Sequence, residues 1–225
     1  MRIATGLAIV AAALGLGTGA AQAQQLFAPA ITSDSYMPTF SAWTGFYAGA
    51  QISLLAMKSH ENSSALPGEQ LLGDINGSYG VFAGYRFQLN DWLVLGIDAE
   101  ANSVYSELLY SGTKFGAKTW DAAVRAHLGY PIAPNVLAYG TVGYSFAGFD
   151  MSPFYSDPSW DGEAYTGGGF QFGLGVDMLV TDNLMARLEA TYTHYGVHTI
   201  TLNGVADGTS EPSDVVVRTG LGWKF

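Results

Sequence analysis

The closing run of the chain, "VVVRTGLGWKF", sorts its residues by parity. Val215, Val217, Thr219, Leu221, Trp223 and Phe225 oppose Val216, Arg218, Gly220, Gly222 and Lys224. A period of two puts the two sets on opposite faces of a β-strand. The same sorting recurs in "TGFYAGAQISLL", "SYGVFAGYRFQ", "NDWLVLGIDAE", "WDAAVRAHLGY", "VLAYGTVGYSF", "GFQFGLGVDM" and "LMARLEATYT", which makes eight strands. In each, one face is almost wholly apolar, while the other holds Gly, Thr, Gln and the charged residues. A soluble sandwich or lipocalin turns its apolar face inward and its polar face outward. A chain with only 12% charged residues has too little charge to cover such an exterior. The pattern fits the reverse arrangement, apolar outside and polar inside, which is that of a membrane barrel.

The connections alternate in length. Leu89-Asn90-Asp91, Ile132-Ala133-Pro134-Asn135 and Val180-Thr181-Asp182-Asn183 read as short turns, whereas 57–74, 108–117, 150–165 and 199–212 read as longer polar loops. The expected fold is therefore all-β: an eight-stranded antiparallel up-and-down transmembrane β-barrel. An even strand number brings both barrel termini to the short-turn side, which is periplasmic in such barrels.

The less apolar faces carry basic Arg86, Arg125, Arg187, Arg218 and Lys224 and acidic Asp98, Glu100, Asp121, Asp177 and Glu189, with His127 beside them. On the lipid side each charge costs up to about 2–4 kcal/mol. An eight-stranded barrel is only just wide enough for side chains to fill it, so these groups are expected to pair across the lumen. Pairing alone does not indicate catalysis, because buried charges are paired wherever they occur. On the outer face, Trp92, Tyr105, Trp120, Tyr130, Tyr192, Trp223 and Phe225 fit interfacial girdles; ordinary β-propensity would scatter aromatics along each strand.

The N-terminus adds a targeting signal. Arg2, an apolar core and Ala21-Gln22-Ala23 compose a signal peptide over 1–23, with the mature chain starting at Gln24. Residues 24–42 lack periodicity and read as a periplasmic tail or linker, and 43–225 as the barrel. Without Arg2, eight basic residues face nineteen acidic ones, a poor balance for binding nucleic acid. The chain has no cysteine, which removes disulfides, thiolate metal sites and a lipid-modified N-terminal Cys.

Several segments together resemble the small outer-membrane β-barrel family of alphaproteobacteria, the porin-like and major surface-antigen group of Rhizobiales. They are "WTGFYAGA", "VFAGYRFQLNDWLVLGIDAEANSVYS", "RAHLGYPIAPNVLAYGTVGYSF", "LVTDNLMARLEATYTHYG" and "VRTGLGWKF". The closing run with Gly220, Trp223 and Phe225 also resembles the assembly signal of outer-membrane proteins. The resemblance implies an integral outer-membrane location, insertion by the barrel-assembly machinery, and contact with outer-membrane lipids and lipopolysaccharide. It implies a role in envelope integrity and surface properties, with narrow porin-like conductance left open.

Two other functions stay open at this point. One is a lipid A-modifying oxidase or hydrolase at the outer rim, for which Asp150, Asp157, Asp161, Glu163, His194 and Tyr195 are the candidate groups. The other is a haemin-binding surface barrel. Neither has a recognisable motif: G-x-S-x-G and H-E-x-x-H are absent. His194 and His198 would sit on one strand face about 13 Å apart, too far to share a metal without a turn. No cofactor or metal is expected, although the acidic loops could hold a divalent cation through carboxylate oxygens. N-terminal sequencing of the protein purified from outer membranes should read from Gln24; a sequence that retains Arg2 would refute the cleavage site.

Overall fold

A computed structural model describes residues 42–63, 70–72, 75–110, 113–150, 164–202 and 205–225. The signal peptide and most of the tail therefore lie outside the described residues. Eight long strands are present: β1 (Gly45–Ser63), β3 (Ile75–Asn90), β4 (Leu93–Tyr110), β5 (Thr113–Ala133), β6 (Val136–Asp150), β7 (Ala164–Leu179), β8 (Leu184–Tyr195) and β10 (Val205–Lys224). Two short strands, β2 (Gln70–Leu72) and β9 (His198–Leu202), flank β1 and β10 respectively. Each long strand pairs antiparallel with its neighbours, and β1 pairs with β10, so the sheet closes on itself.

The register fixes the barrel's geometry. From Phe46 the row of partners runs through Tyr85, Ile97, Ala126, Val142, Phe172, Tyr192 and Val215. Val215 then faces Ala56, so one circuit returns to β1 ten residues further along. With about 3.3 Å per residue and about 4.7 Å between strands, that stagger tilts the strands by about 40°, as in other membrane barrels.

The turns follow from their sequences. Asn90 Oδ1 accepts from the Trp92 amide at 3.0 Å, and Thr181 Oγ1 accepts from the Leu184 amide at 2.9 Å. These short polar side chains satisfy amides that the ladder leaves free. Asn183 Nδ2 donates to the Lys224 carbonyl at 2.8 Å, and the Phe225 amide donates to the Phe46 carbonyl at 2.9 Å. The first contact ties the end of the last strand to the β7–β8 turn, and the second pins it beside the start of the first strand.

The opposite end differs from the sequence reading. The strands do not stop where the apolar alternation stops: β1 runs on to Ser63, β4 and β5 nearly meet at Tyr110 and Thr113, and β10 begins at Val205. Much of what read as loop is hairpin. A ladder of backbone hydrogen bonds needs no apolar face once it leaves the hydrocarbon, so hydrophobic periodicity cannot report it. Register also shifts between Lys118 and Trp120 on β5. Such a bulge inserts an extra residue and reverses the parity beyond it.

Most outward residues are apolar and many are exposed, among them Phe46, Ile52, Val81, Leu128, Leu174 and Leu221. Combining the tilt with the register sorts the outward aromatics into two belts about 20 Å apart. Phe46, Tyr85, Phe87, Trp92, Tyr130, Trp223 and Phe225 lie near the turns; Tyr79, Trp120, Tyr144, Phe146, Phe170 and Tyr192 lie towards the loops. Most outward residues between the belts are aliphatic. Tyr105 stands on the outward parity of β4, but its side chain lies outside the described residues.

Inside, glycines leave room for large neighbours. A Cβ on Gly175 would fall 2.4 Å from the Tyr139 ring, and one on Gly143 would fall 2.7 Å from the Arg125 side chain. Gly77, on the outer face, meets nothing nearer than 3.9 Å. Gly175→Ala should therefore destabilise the barrel by about 1–3 kcal/mol. Gly77→Ala should change it little. Urea unfolding in lipid vesicles measures both, and equal effects would contradict the packing.

Candidate functional site

The lumen is filled in layers. At the turn end Trp43, Tyr47, Phe82, Val94, Leu137, Leu179 and Met185 form an apolar plug. Trp43 precedes β1 and folds under the barrel, where its amide lies 3.4 Å from Gln88 Oε1. Tyr47 and Phe82 come from the inward parities of β1 and β3, and both lie under guanidinium groups. Arg86 Cζ stands 4.6 Å from the Tyr47 ring centroid, and Arg187 Cζ stands 4.1 Å from that of Phe82. Cation–π contacts of this kind hold the plug to the ionic layer above it.

That layer is one connected network. Asp177 on β7 pairs with Arg86 on β3 and, at 3.2 Å, with Arg187 Nε on β8. Arg187 Nη1 reaches across to Asp98 Oδ2 on β4 at 3.2 Å. Asp98 also takes two bonds from Arg125, from Nε at 2.9 Å and from Nη2 at 3.1 Å. This fork-to-fork contact is the strongest form of an Arg–carboxylate pair. Arg125 meets Glu100 at 3.3 Å and pairs with Glu189 on β8. Arg218 on β10 completes the set, with Nη2 3.0 Å from Glu100 Oε1 and Nη1 3.6 Å from Glu189 Oε1. Tyr139 donates to Glu189 Oε2 at 3.0 Å, and His127 stacks on Tyr139 with Nε2 3.0 Å from Asp98.

Four guanidinium groups thus meet four carboxylates with almost no solvent contact. Arg86–Asp177, Arg187–Asp98, Arg125–Glu189 and Arg218–Glu100 each join strands that are not neighbours in the sheet. The network therefore braces the barrel across its diameter, whereas the backbone ladder braces it around its circumference.

Above it the contacts turn to amides and hydroxyls. Gln51 Nε2 donates to Glu100 at 3.1 Å and to Asn102 at 2.8 Å, and Asn102 donates to Asp121 at 2.7 Å. Asp121 then pairs with Lys118 at 2.9 Å, and Lys118 with Asp214 at 2.7 Å. Tyr195 joins this second cluster, its hydroxyl 2.9 Å from Lys118 Nζ and 3.1 Å from Asp214. A cap of Met57, Ala147, Phe149 and Tyr165 packs with Tyr195 at the loop end.

Of the lumen residues named from the sequence, Arg86, Asp98, Glu100, Asp121, Arg125, His127, Asp177, Arg187, Glu189 and Arg218 all come together. Lys224 does not. It is half-buried at the turn end and joins no ion pair among the described residues. The sequence reading missed Lys118 and Asp214. The β5 bulge turns Lys118 inward out of phase, and Asp214 stands one residue before the apolar alternation of β10 begins.

The rim candidates do not converge. Tyr195 points into the lumen, while His194 points outward and lies 3.3 Å from Glu211. Asp150 ends β6. Asp157, Asp161 and Glu163 lie outside the described residues. β9 continues along the same edge of β10 as β8, so no turn brings His198 back beside His194. Among the described residues no cluster of three or more His, Cys, Asp or Glu side chains could hold a metal.

Replacing Arg125 with Met leaves Asp98, Glu100 and Glu189 short of a buried cation. It should cost about 3–5 kcal/mol, part of it recovered by adding Glu189→Gln. Lys224→Met, outside the network, should stay within about 0.5 kcal/mol of wild type. Urea unfolding in vesicles reports all three, and an Arg125→Met barrel as stable as wild type would contradict the account.

Comparison with known proteins agrees with this architecture. Residues 9–225 match the outer membrane protein beta-barrel domain family. The chain is 30% identical over 195 residues to the 22 kDa outer membrane protein of Rhizobium leguminosarum bv. viciae, covering 82% of this chain and 79% of that protein. It is 29% identical over 231 residues to the 25 kDa outer-membrane immunogenic protein of Brucella canis, covering all of both. Among solved structures, OprG from Pseudomonas aeruginosa is similar at a TM-score of 0.48 and 14% identity, over 81% of this chain and 96% of that one. Ail of Yersinia pestis is similar at 0.46 and 16%, over 81% and 99%. An apolar exterior with two aromatic belts, a closed eight-stranded ladder and a family match over residues 9–225 place this chain in the outer membrane protein beta-barrel family, as an integral protein of the bacterial outer membrane.

Proposed function

We propose that this protein is a structural barrel of the outer membrane, which contributes to envelope integrity and surface charge and does not work as an open pore. The observation that carries this reading is the filled lumen. An apolar plug, a cross-braced ionic layer, a polar layer and an aromatic cap follow one another from the turn end to the loop end. A solute crossing it would have to displace guanidinium–carboxylate pairs whose separation costs several kcal/mol each.

The turn end, with both barrel termini, faces the periplasm, and the loop end faces outward. Cleavage after Ala23 releases the chain for insertion, and the barrel-assembly machinery reads Gly220, Trp223 and Phe225 at its end. The connections at the loop end carry many more carboxylates than cations, so they give the cell surface negative charge, which divalent cations would screen. The separation of His194 from Tyr195 on opposite faces of β8 favours this reading over a rim enzyme.

In planar bilayers with symmetric potassium chloride, the refolded protein should give no discrete current steps. A double variant that truncates only the plug, Tyr47→Ala with Phe82→Ala, should stay closed as well when heat-modifiable mobility shows it folded, because the ionic layer above the plug still fills the lumen. Stepwise conductance of the wild type would establish a solute pore instead.

A further inference from the structure

The upper lumen holds more buried negative charge than positive. In the layer nearer the turns four arginines meet four carboxylates, and His127 stands beside Asp98 in that same layer. Gln51 and Asn102 separate it from the cluster nearer the loops. There one cation, Lys118, meets two carboxylates, Asp121 and Asp214, and all three side chains are almost free of solvent. No second cation joins them among the described residues. One negative charge is left over beneath the cap that contains Phe149 and Tyr195. Such a charge is costly in a closed interior unless a counter-charge comes to it.

The bonding of these carboxylates indicates where it would sit. Asp121 Oδ1 accepts from Asn102 at 2.7 Å, and Asp121 Oδ2 lies 2.9 Å from Lys118 Nζ. Asp214 Oδ2 accepts from both Lys118 and Tyr195. Asp214 Oδ1 is buried and has no hydrogen-bond partner among the described residues. The register partner of Asp214 on β8 is Thr193, and that of Thr193 on β7 is Gln171. All three residues point inward and are buried. Gln171 Nε2 donates to Thr193 Oγ1 at 3.2 Å, so Oε1 is the free end of the amide, and it too is buried without a partner among the described residues. An amide oxygen, a hydroxyl and a carboxylate oxygen thus follow one another along one row, and two of them lack a donor. Ser145 and Gly169, inward neighbours of Gln171, put no long side chain beside it.

We propose that the Gln171–Thr193–Asp214 row binds one monovalent cation of the sodium class, held by Asp214 Oδ1 and Gln171 Oε1 with Thr193 Oγ1 between them. Oxygen donors of this kind suit hard cations. The leftover charge is one, so a monovalent ion balances it, whereas a divalent ion would leave an excess of the opposite sign. The bound ion ties β7 to β10 across β8, above the level at which the arginines brace the barrel.

Urea unfolding of the refolded barrel in lipid vesicles tests this, with sodium chloride exchanged for N-methylglucamine chloride at constant ionic strength. The organic cation is too large for the row. Between about 1 and about 300 mM sodium the unfolding constant of wild type should fall at least about tenfold, as mass action requires for an ion bound by the folded state alone. Asp214→Asn removes the leftover charge and should abolish the sodium dependence. Gln171→Leu keeps the charge but loses a ligand, and should shift the dependence to higher sodium. Lys224→Gln, at the turn end, should respond as wild type does. Heat-modifiable mobility shows which variants fold, and Gln171→Leu carries the test if Asp214→Asn does not. A wild type indifferent to sodium would overturn the proposal, and a stability that followed pH instead would assign the counter-charge to a proton. Sodium dependence unchanged in the folded variants of the row would place the ion elsewhere and overturn it as well.

Discussion

Hydrocarbon offers no hydrogen-bond partners, and the rest of the structure depends on that. Every amide inside the membrane must bond to another amide, so a chain that crosses in strands must close its sheet. Closure between β1 and β10 is therefore the condition under which the other strands can exist in lipid. The same constraint directs the side chains. With period two, each strand sends one set of residues to the acyl chains and the other to the lumen, and a charge has only one tolerable side.

A stagger of ten residues over eight strands leaves a narrow interior, and the sequence fills it with long side chains beside absent ones. Gly175 lies against Tyr139, Gly143 against Arg125, and Gly84 against Tyr47 and Asp98. Each ring or guanidinium thus occupies space left by a glycine on the neighbouring strand. Burying four arginines with four carboxylates is a costly way to fill a core, because desolvation can outweigh the attraction. Its value here is geometric. Arg–carboxylate pairs have a fixed fork geometry, and those that span the lumen tie β3 to β7 and β4 to β8 and β10. A strand shifted by one residue would carry its charges into lipid, so the network also specifies register.

Much of this was legible in the sequence because lipid imposes a simple rule on residues between the two belts. Along β4, Leu95, Ile97 and Ala99 against Gly96, Asp98 and Glu100 could be assigned by parity alone, and the structure places them so. The rule fails where its physical cause ends. Beyond the hydrocarbon, hairpins pair in water with no apolar face to mark them, and the reach of β1 to Ser63 was hidden. At Lys118 a bulge changes the phase, and no local signal announces a bulge at Thr119. Lys224 shows the converse: its parity is inward, but at the turn end it needs no partner. The rim candidates depended on how residues around the loop end fold together, which alternation does not encode; His194 and Tyr195, adjacent in sequence, face opposite ways for the same reason that made the strands readable.

The outer wall and the interior answer one environment. Apolar residues between aromatic belts match the membrane's thickness, and paired charges inside avoid it. Nitroxide labels placed one at a time from Leu95 to Asn102 in bilayer-embedded barrel test this most directly, through their collisions with oxygen and with a water-soluble nickel complex. High oxygen access should appear at Leu95, Ile97, Ala99 and Ala101, with low access to both reagents at the intervening positions. Alternation in the opposite phase, or none, would contradict the account.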